Sequence, residues 1–291
     1  MPGIRMGFCI ASDRRYYCLM SYLPREDLVT TPRWSDLIGE FDRWGEAGRV
    51  ATLWWRDDDA AAASCRLDHL VSIAGDVPIS LAVIPATAHP ELAEWVAHFA
   101  RSRQAHLGIL QHGWCHTNHA VDGKKNEFPP ERSWAAVSSE LIEGRCRLTT
   151  LFGARALPVL APPWNRFASA FLPSLPACGI SAISREKPRR TPRPSPGIAE
   201  TNVHVDLVAW AADRGFIGEQ PALGGIIGHL QARRLGEVDT EEPTGILTHH
   251  LVQDDAADTF LRQLVATTKE HPATRWLDAA EVFANALSAS R

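Results

Sequence analysis

Short apolar runs alternate along this chain with longer amphipathic stretches, and that alternation constrains the fold more than any other feature. A run of four to six apolar residues suits a strand covered on both faces, and the longer stretches carry the spacing of a helix with one apolar side. Seven runs read as strands, over residues 50–55, 79–84, 107–111, 156–160, 180–183, 202–205 and 245–248. Helices are expected over 34–44, 60–73, 90–103, 130–152, 167–177, 222–234 and 254–269, with 277–287 closing the chain. Strands that alternate with helices pair in parallel, and about seven repeats favour a barrel over an open sheet. The predicted fold class is therefore α/β: a deformed (β/α)7 barrel forming a single domain over residues 31–291. Residues 1–30 lack clean periodicity and are read as an N-terminal extension.

With 45% hydrophobic and 22% charged residues, the 291-residue chain has enough apolar side chains for a sizeable core. A formal net charge of -4, without a basic stripe, argues against nucleic acid as a partner. The six cysteines include no CxxC pair and read as reduced thiols in the cytoplasm. Arg5, Arg14 and Arg15 interrupt the N-terminal segment, so neither an export signal nor a membrane span is expected. Residues 187–196 hold four prolines and four basic residues and are expected to form an exposed loop, since proline suits neither a helix interior nor a central strand.

Each polar cluster falls directly after a strand candidate, where the loops of a barrel converge on its active face. Arg56-Asp57-Asp58-Asp59 follows the first run. Three adjacent carboxylates repel one another, so they need a cation, an arginine or open water; a solvated helix cap is the plainer reading. Gln111 leads into His112, His116 and His119, and His112 and His116 would share one side of a helical turn, within reach of one divalent ion. Gly113 stands where the HExxH metalloproteases carry their glutamate, which excludes that motif. Pro162-Pro163-Trp164-Asn165-Arg166 makes a stiff loop whose tryptophan could stack on a sugar ring or simply pack. Thr248-His249-His250 places a histidine at a strand end, suited to donating a proton to a leaving amine.

In this order the clusters resemble the polysaccharide deacetylases, the NodB-like carbohydrate esterases. Asp58-Asp59 before Ala60 is similar to the family's Asp-Asp-Gly, and His112-Gly-Trp-Cys-His116 to its His-Thr-Trp-Ser-His. Pro162-Pro163-Trp164 is similar to the proline loop, Asp206 with Trp210 to the fourth segment, and Leu247-Thr248-His249 to the last. The resemblance implies that Asp58 is the general base, that Asp59, His112 and His116 hold a metal, and that His249 is the acid. Asp57-Asp58 remains an alternative register for the pair. Pro163, Trp164, Asn165, His119, Arg166 and Asp57 are then expected to contact substrate. Two departures stand out: Gly113 replaces the family's Ser or Thr, and Ala161 replaces the arginine that orients the base. Arg56 or Arg166 would have to supply that charge.

The implied activity is removal of an N-acetyl or O-acetyl group from a carbohydrate. The implied cofactor is a divalent ion, zinc first, with cobalt, nickel or manganese also compatible with the ligand types. The implied partner is an acetylated sugar or related small molecule. An amide or imide hydrolase acting on a small cytosolic metabolite and a catalytically idle sugar-binding protein are the competing readings.

Overall fold

In the computed structural model, which describes residues 31–103, 107–212 and 214–284, the first apolar run becomes the central strand of a parallel sheet. This strand, β1 (Ala51–Ala60), is followed by β2 (Ile79–Val83), β3 (Leu107–Gln111), β4 (Ala156–Leu160), β5 (Ala182–Ile183), β6 (Ala199–Glu200), β7 (Val205–Asp206) and β8 (Thr244–Thr248). They lie in the order β6-β5-β4-β3-β2-β1-β8-β7, and a short β9 (Thr274–Trp276) pairs with the start of β1. Among the described residues no ladder joins β6 to β7, so the sheet curls into an incompletely closed barrel, the deformed α/β class expected from the sequence.

Helices α1 (Trp34–Glu46), α2 (Cys65–Ala74), α3 (Pro90–Arg103), α4 (Trp134–Phe152), α5 (Glu219–Leu235) and α6 (Asp255–Glu270) form the outer layer, and a short α7 (Ala279–Val282) follows β9. Four start where a side chain accepts a backbone N–H of the first turn: Ser64 from Leu67, Ser133 from Ala136, Asp254 from Ala257 and Asp278 from Glu281. These caps set α2 and α4 four to five residues later than periodicity alone placed them. The stretch expected to be an α-helix over 167–177 is instead 3₁₀ from Ser169 to Cys178, because Pro173 and Pro176 lack the N–H groups an α-helix needs there. β6 and β9 are too short to have left a pattern. The proline-rich segment is a loop, pinned by Arg189, whose backbone N–H donates to Glu242 and whose Nε donates to Asp239. The expected extension over residues 1–30 and the end of the expected last helix lie outside the described residues.

The barrel interior is lined by small residues, Ala82, Ala161, Ala182 and Ala199, around the large rings of Trp54 and Phe283, which meet edge to face at 5.7 Å. α7 closes the N-terminal end of the barrel. Its Ala279 packs so closely on Gly108 of β3 that a Cβ there would lie 2.4 Å from the alanine methyl. With that end plugged, the open end is the one where the strands finish and the polar clusters stand. No helix among the described residues is long and apolar enough to cross a membrane.

Candidate metal centre and active site

β1 continues through the three aspartates instead of stopping before them, and each carboxylate is answered by a different partner. Asp57 is fully buried; it accepts hydrogen bonds from Thr248 Oγ1 (2.6 Å) and the backbone N–H of His250 (3.0 Å), and pairs with the His250 ring. Burial works against a charged imidazole at His250, but the Asp57 carboxylate outweighs it and raises the histidine's pKa. Asp57 was expected at the substrate; a carboxylate with no exposed surface and these partners clasps β1 to β8 instead.

Asp58 turns to the opposite side of the strand, where Arg56 grips both its oxygens, Nε at 2.8 Å and Nη2 at 2.9 Å. The same guanidinium donates to Ser184 O (3.0 Å), Ser184 Oγ (2.8 Å) and Asn165 Oδ1 (2.6 Å). Arg56 therefore reaches the carboxylate left without a partner by Ala161. Arg166 does not: its Nη1 donates to the carbonyl of Lys125 at 2.9 Å, tying one loop to another.

Between Asp57 and Ala60 the pairing of β1 with β2 slips, and Asp59 sits in this bulge with φ at +70°. The bulge aims its Oδ1 at two imidazoles, 3.2 Å from His112 Nε2 and 3.3 Å from His116 Nε2. Burial alone would raise the Asp59 pKa, but His112, His249 and His116 together hold it below the usual carboxylate range. His112 extends β3, with its backbone N–H on Val83 O and its Nδ1 2.9 Å from Ala161 O. A carbonyl can only accept, so Nδ1 carries a proton and Nε2 is the ring atom turned to Asp59. Burial opposes a charged ring, but Asp58 and Asp59 outweigh it and raise the His112 pKa, so a cation at Nε2 would take the place of that added proton. His116 comes from a loop and not from the helical turn its spacing suggested: its own φ is +58° and that of Gly113 is +61°.

These three donors lie within 4.8 Å of one another, and Asp59 Oδ1 is buried without a hydrogen-bond donor. Ligands at about 2.1 Å from one ion, at angles between tetrahedral and octahedral, stand about 3.0–3.4 Å apart. The measured separations from the carboxylate oxygen fall in that range, so the residues fit a divalent cation.

His249 follows β8, close enough to Asp59 to act on its charge, with Nδ1 3.8 Å from Asp206 Oδ1 and its ring edge-on to Trp210 at 4.7 Å. Burial raises the Asp206 pKa despite a hydrogen bond from Trp210 Nε1 (2.7 Å). Across the centre the Trp164 ring packs on His116 at 4.4 Å, presented by left-handed backbone at both Trp164 and Asn165. Pro163 is buried and Asn165 turns its oxygen to Arg56, so Trp164 is the member of the loop placed against His116. His119 is exposed and stands outside the cluster of ligand atoms.

Sequence reasoning missed Glu127, Ser184 and the carbonyl of Ala161. None carries a local signal, because each acts only once a distant segment reaches it. A second group, His204, His229 and Glu242, gathers at the other end of the barrel. There the Gly245 N–H donates to His204 Nδ1 at 2.8 Å, and the two imidazoles stack at 3.4 Å.

No family model and no curated protein matches the sequence. Solved structures do match in fold. A CE4 esterase from Streptococcus mutans superposes with a TM-score of 0.51 at 14% identity, over 81% of this chain and 88% of that one. The catalytic domain of a peptidoglycan N-acetylglucosamine deacetylase from Eubacterium rectale gives 0.50 at 12% identity, over 79% and 88%. A family 4 carbohydrate esterase from Streptomyces lividans, solved in complex with acetate, gives 0.50 at 12% identity, over 77% and 90%. The fold is the one these carbohydrate esterases and deacetylases share.

Proposed function

We propose that this chain is a metal-dependent hydrolase that removes an acetyl group from a carbohydrate, with Asp59, His112 and His116 as ligands, Asp58 as base and His249 as acid. The observation that carries the reading is the convergence of one carboxylate and two imidazoles on a shared point beside a second, arginine-held carboxylate. Three protein ligands leave coordination positions open, as catalysis requires and a structural site does not. A bound divalent ion supplies Lewis acidity for the acyl carbonyl and makes water easier to deprotonate.

The rest is done by the chain. Asp58, held at both oxygens by Arg56, takes the proton from the attacking water. His249, whose Nδ1 is turned to Asp206, gives a proton from Nε2 to the departing nitrogen or oxygen. That donor favours the N-acetyl bond, because an amine must be protonated to leave and an alcohol needs less help. Trp164 offers a flat apolar face to the sugar ring. The reading as an idle sugar-binding protein rested on the arginine missing at Ala161, and Arg56 removes that ground.

Acetate release from N- and O-acetylated mono- and oligosaccharides tests the proposal, assayed with a chelator and after adding back zinc, cobalt, nickel or manganese. Release that stops with chelator and returns with metal is expected. A metal-loaded protein that releases no acetate from any of them refutes the activity.

A further inference from the structure

Beyond His112, whose N–H still bonds to β2, residues 113–116 form no helix or strand that would fix the separation of the two imidazoles, and their shape is set from outside. Glu127 is fully buried against it. Its Oε2 accepts the Trp114 N–H at 3.1 Å, and its Oε1 accepts the Cys115 N–H at 2.8 Å and the Thr117 N–H at 3.4 Å. Gly113 completes the fit: at φ +61° it lies so close that a Cβ would fall 1.8 Å from Glu127 Oε2 and 2.6 Å from Pro163 Cδ. Glu127 is itself anchored, since Arg132 donates to its carbonyl at 3.1 Å and pairs with Glu140.

Resting on the ligand assignment above, we propose that Glu127 is a positioning residue of the metal centre, its carboxylate gathering three backbone N–H groups so that His116 is held against Asp59 and His112. Residues 113–117 would otherwise have to find other partners for those donors, and His116 would leave the common point. The glycine at 113 belongs to the same device, because any side chain there would occupy the carboxylate's place.

The test is a titration of the metal-free full-length protein with zinc and with cobalt. Glu127→Gln keeps the size of the side chain but turns an amide NH2 toward one set of N–H donors. Its metal affinity is expected to fall by about 10–100-fold, as for other groups that orient ligands, while unfolding stays cooperative. Wild-type affinity in that variant overturns the proposal. Should it not fold, Gly113→Ala presses on the same contact from the loop side: a comparable weakening supports the proposal and unchanged affinity overturns it. A wild-type protein that binds neither ion refutes the ligand assignment itself. Binding that depends on Glu127 without turnover of any acetylated sugar leaves this inference standing and removes only the activity.

Discussion

The barrel carries a histidine–carboxylate cluster at each end, and the two differ in where the ring protons must be. At the C-terminal ends of the strands, Ala161 O accepts a hydrogen bond from Nδ1 of His112, which turns Nε2 toward Asp59. At the N-terminal ends, the Gly245 N–H occupies Nδ1 of His204, so the neutral ring carries its proton on Nε2, 3.4 Å from Glu242 Oε2. The first arrangement turns an Nε2 whose ring is already committed at Nδ1 toward a carboxylate shared with a second imidazole; the second turns an Nε2–H toward Glu242. Glu242 is further engaged by the backbone N–H groups of Arg189 and Asn202, each at 2.8 Å, and burial raises its pKa to about 7. Burial, with Arg233 nearby, also holds His204 and His229 well below 6.5. The same residue types thus make a candidate metal centre at one end and a neutral structural hub at the other, roughly 16 Å along β8. Composition does not separate them; the backbone group facing each imidazole does.

The sharpest way to break this contrast is Asp59→Ala, which is expected to lose metal and turnover together. Elemental analysis showing full occupancy in that variant would erase the distinction between the clusters. Asp58→Asn should keep the metal but lower kcat by about 10²–10⁴-fold, the usual contribution of a general base. A variant that loses metal instead would move Asp58 into the ligand set.

At the opposite end, His229→Gln is expected to leave metal stoichiometry untouched and to cost about 1–3 kcal/mol through its bond with Thr244 Oγ1, seen as a lower melting temperature. Loss of a bound ion in this variant would show that the second cluster binds metal after all. The smallest effect is in pH dependence. His229 is neutral in the fold, with a pKa depressed below 6.5, so the unfolded chain takes up its proton first as pH falls through that value. Its contribution is present above about pH 6.5 and is lost below it; Glu242, raised from 4.5, contributes in the opposite sense as pH rises toward 7. Urea unfolding at several pH values should therefore show His229→Gln losing less stability than the wild type between pH 6.5 and 5. Equal losses would place the charge elsewhere.

Much of this was legible in the residues. The alternation of apolar runs was enough for the barrel, because a strand buried on both faces must be apolar along its length. The ends of the apolar runs also place Arg56 to Asp59, His112 to His116 and Thr248 to His250 on one rim, whereas the roles assigned within those clusters come from the resemblance to the polysaccharide deacetylases. What could not be read was which carboxylate meets which partner. Asp57, Asp58 and Asp59 are identical in type and adjacent in sequence, and a bulge at Asp59 sends them to His250, Arg56 and the two imidazoles respectively. The sequence by itself thus determined the architecture and the inventory of chemical groups, both of which depend on local pattern. The tertiary structure alone decided pairings such as Arg56 with Asp58, Ala161 O with His112 and Glu127 with residues 114–117. Each of these depends on segments that meet only after the sheet has curled, and hydrogen bonds reach no further than about 3.5 Å.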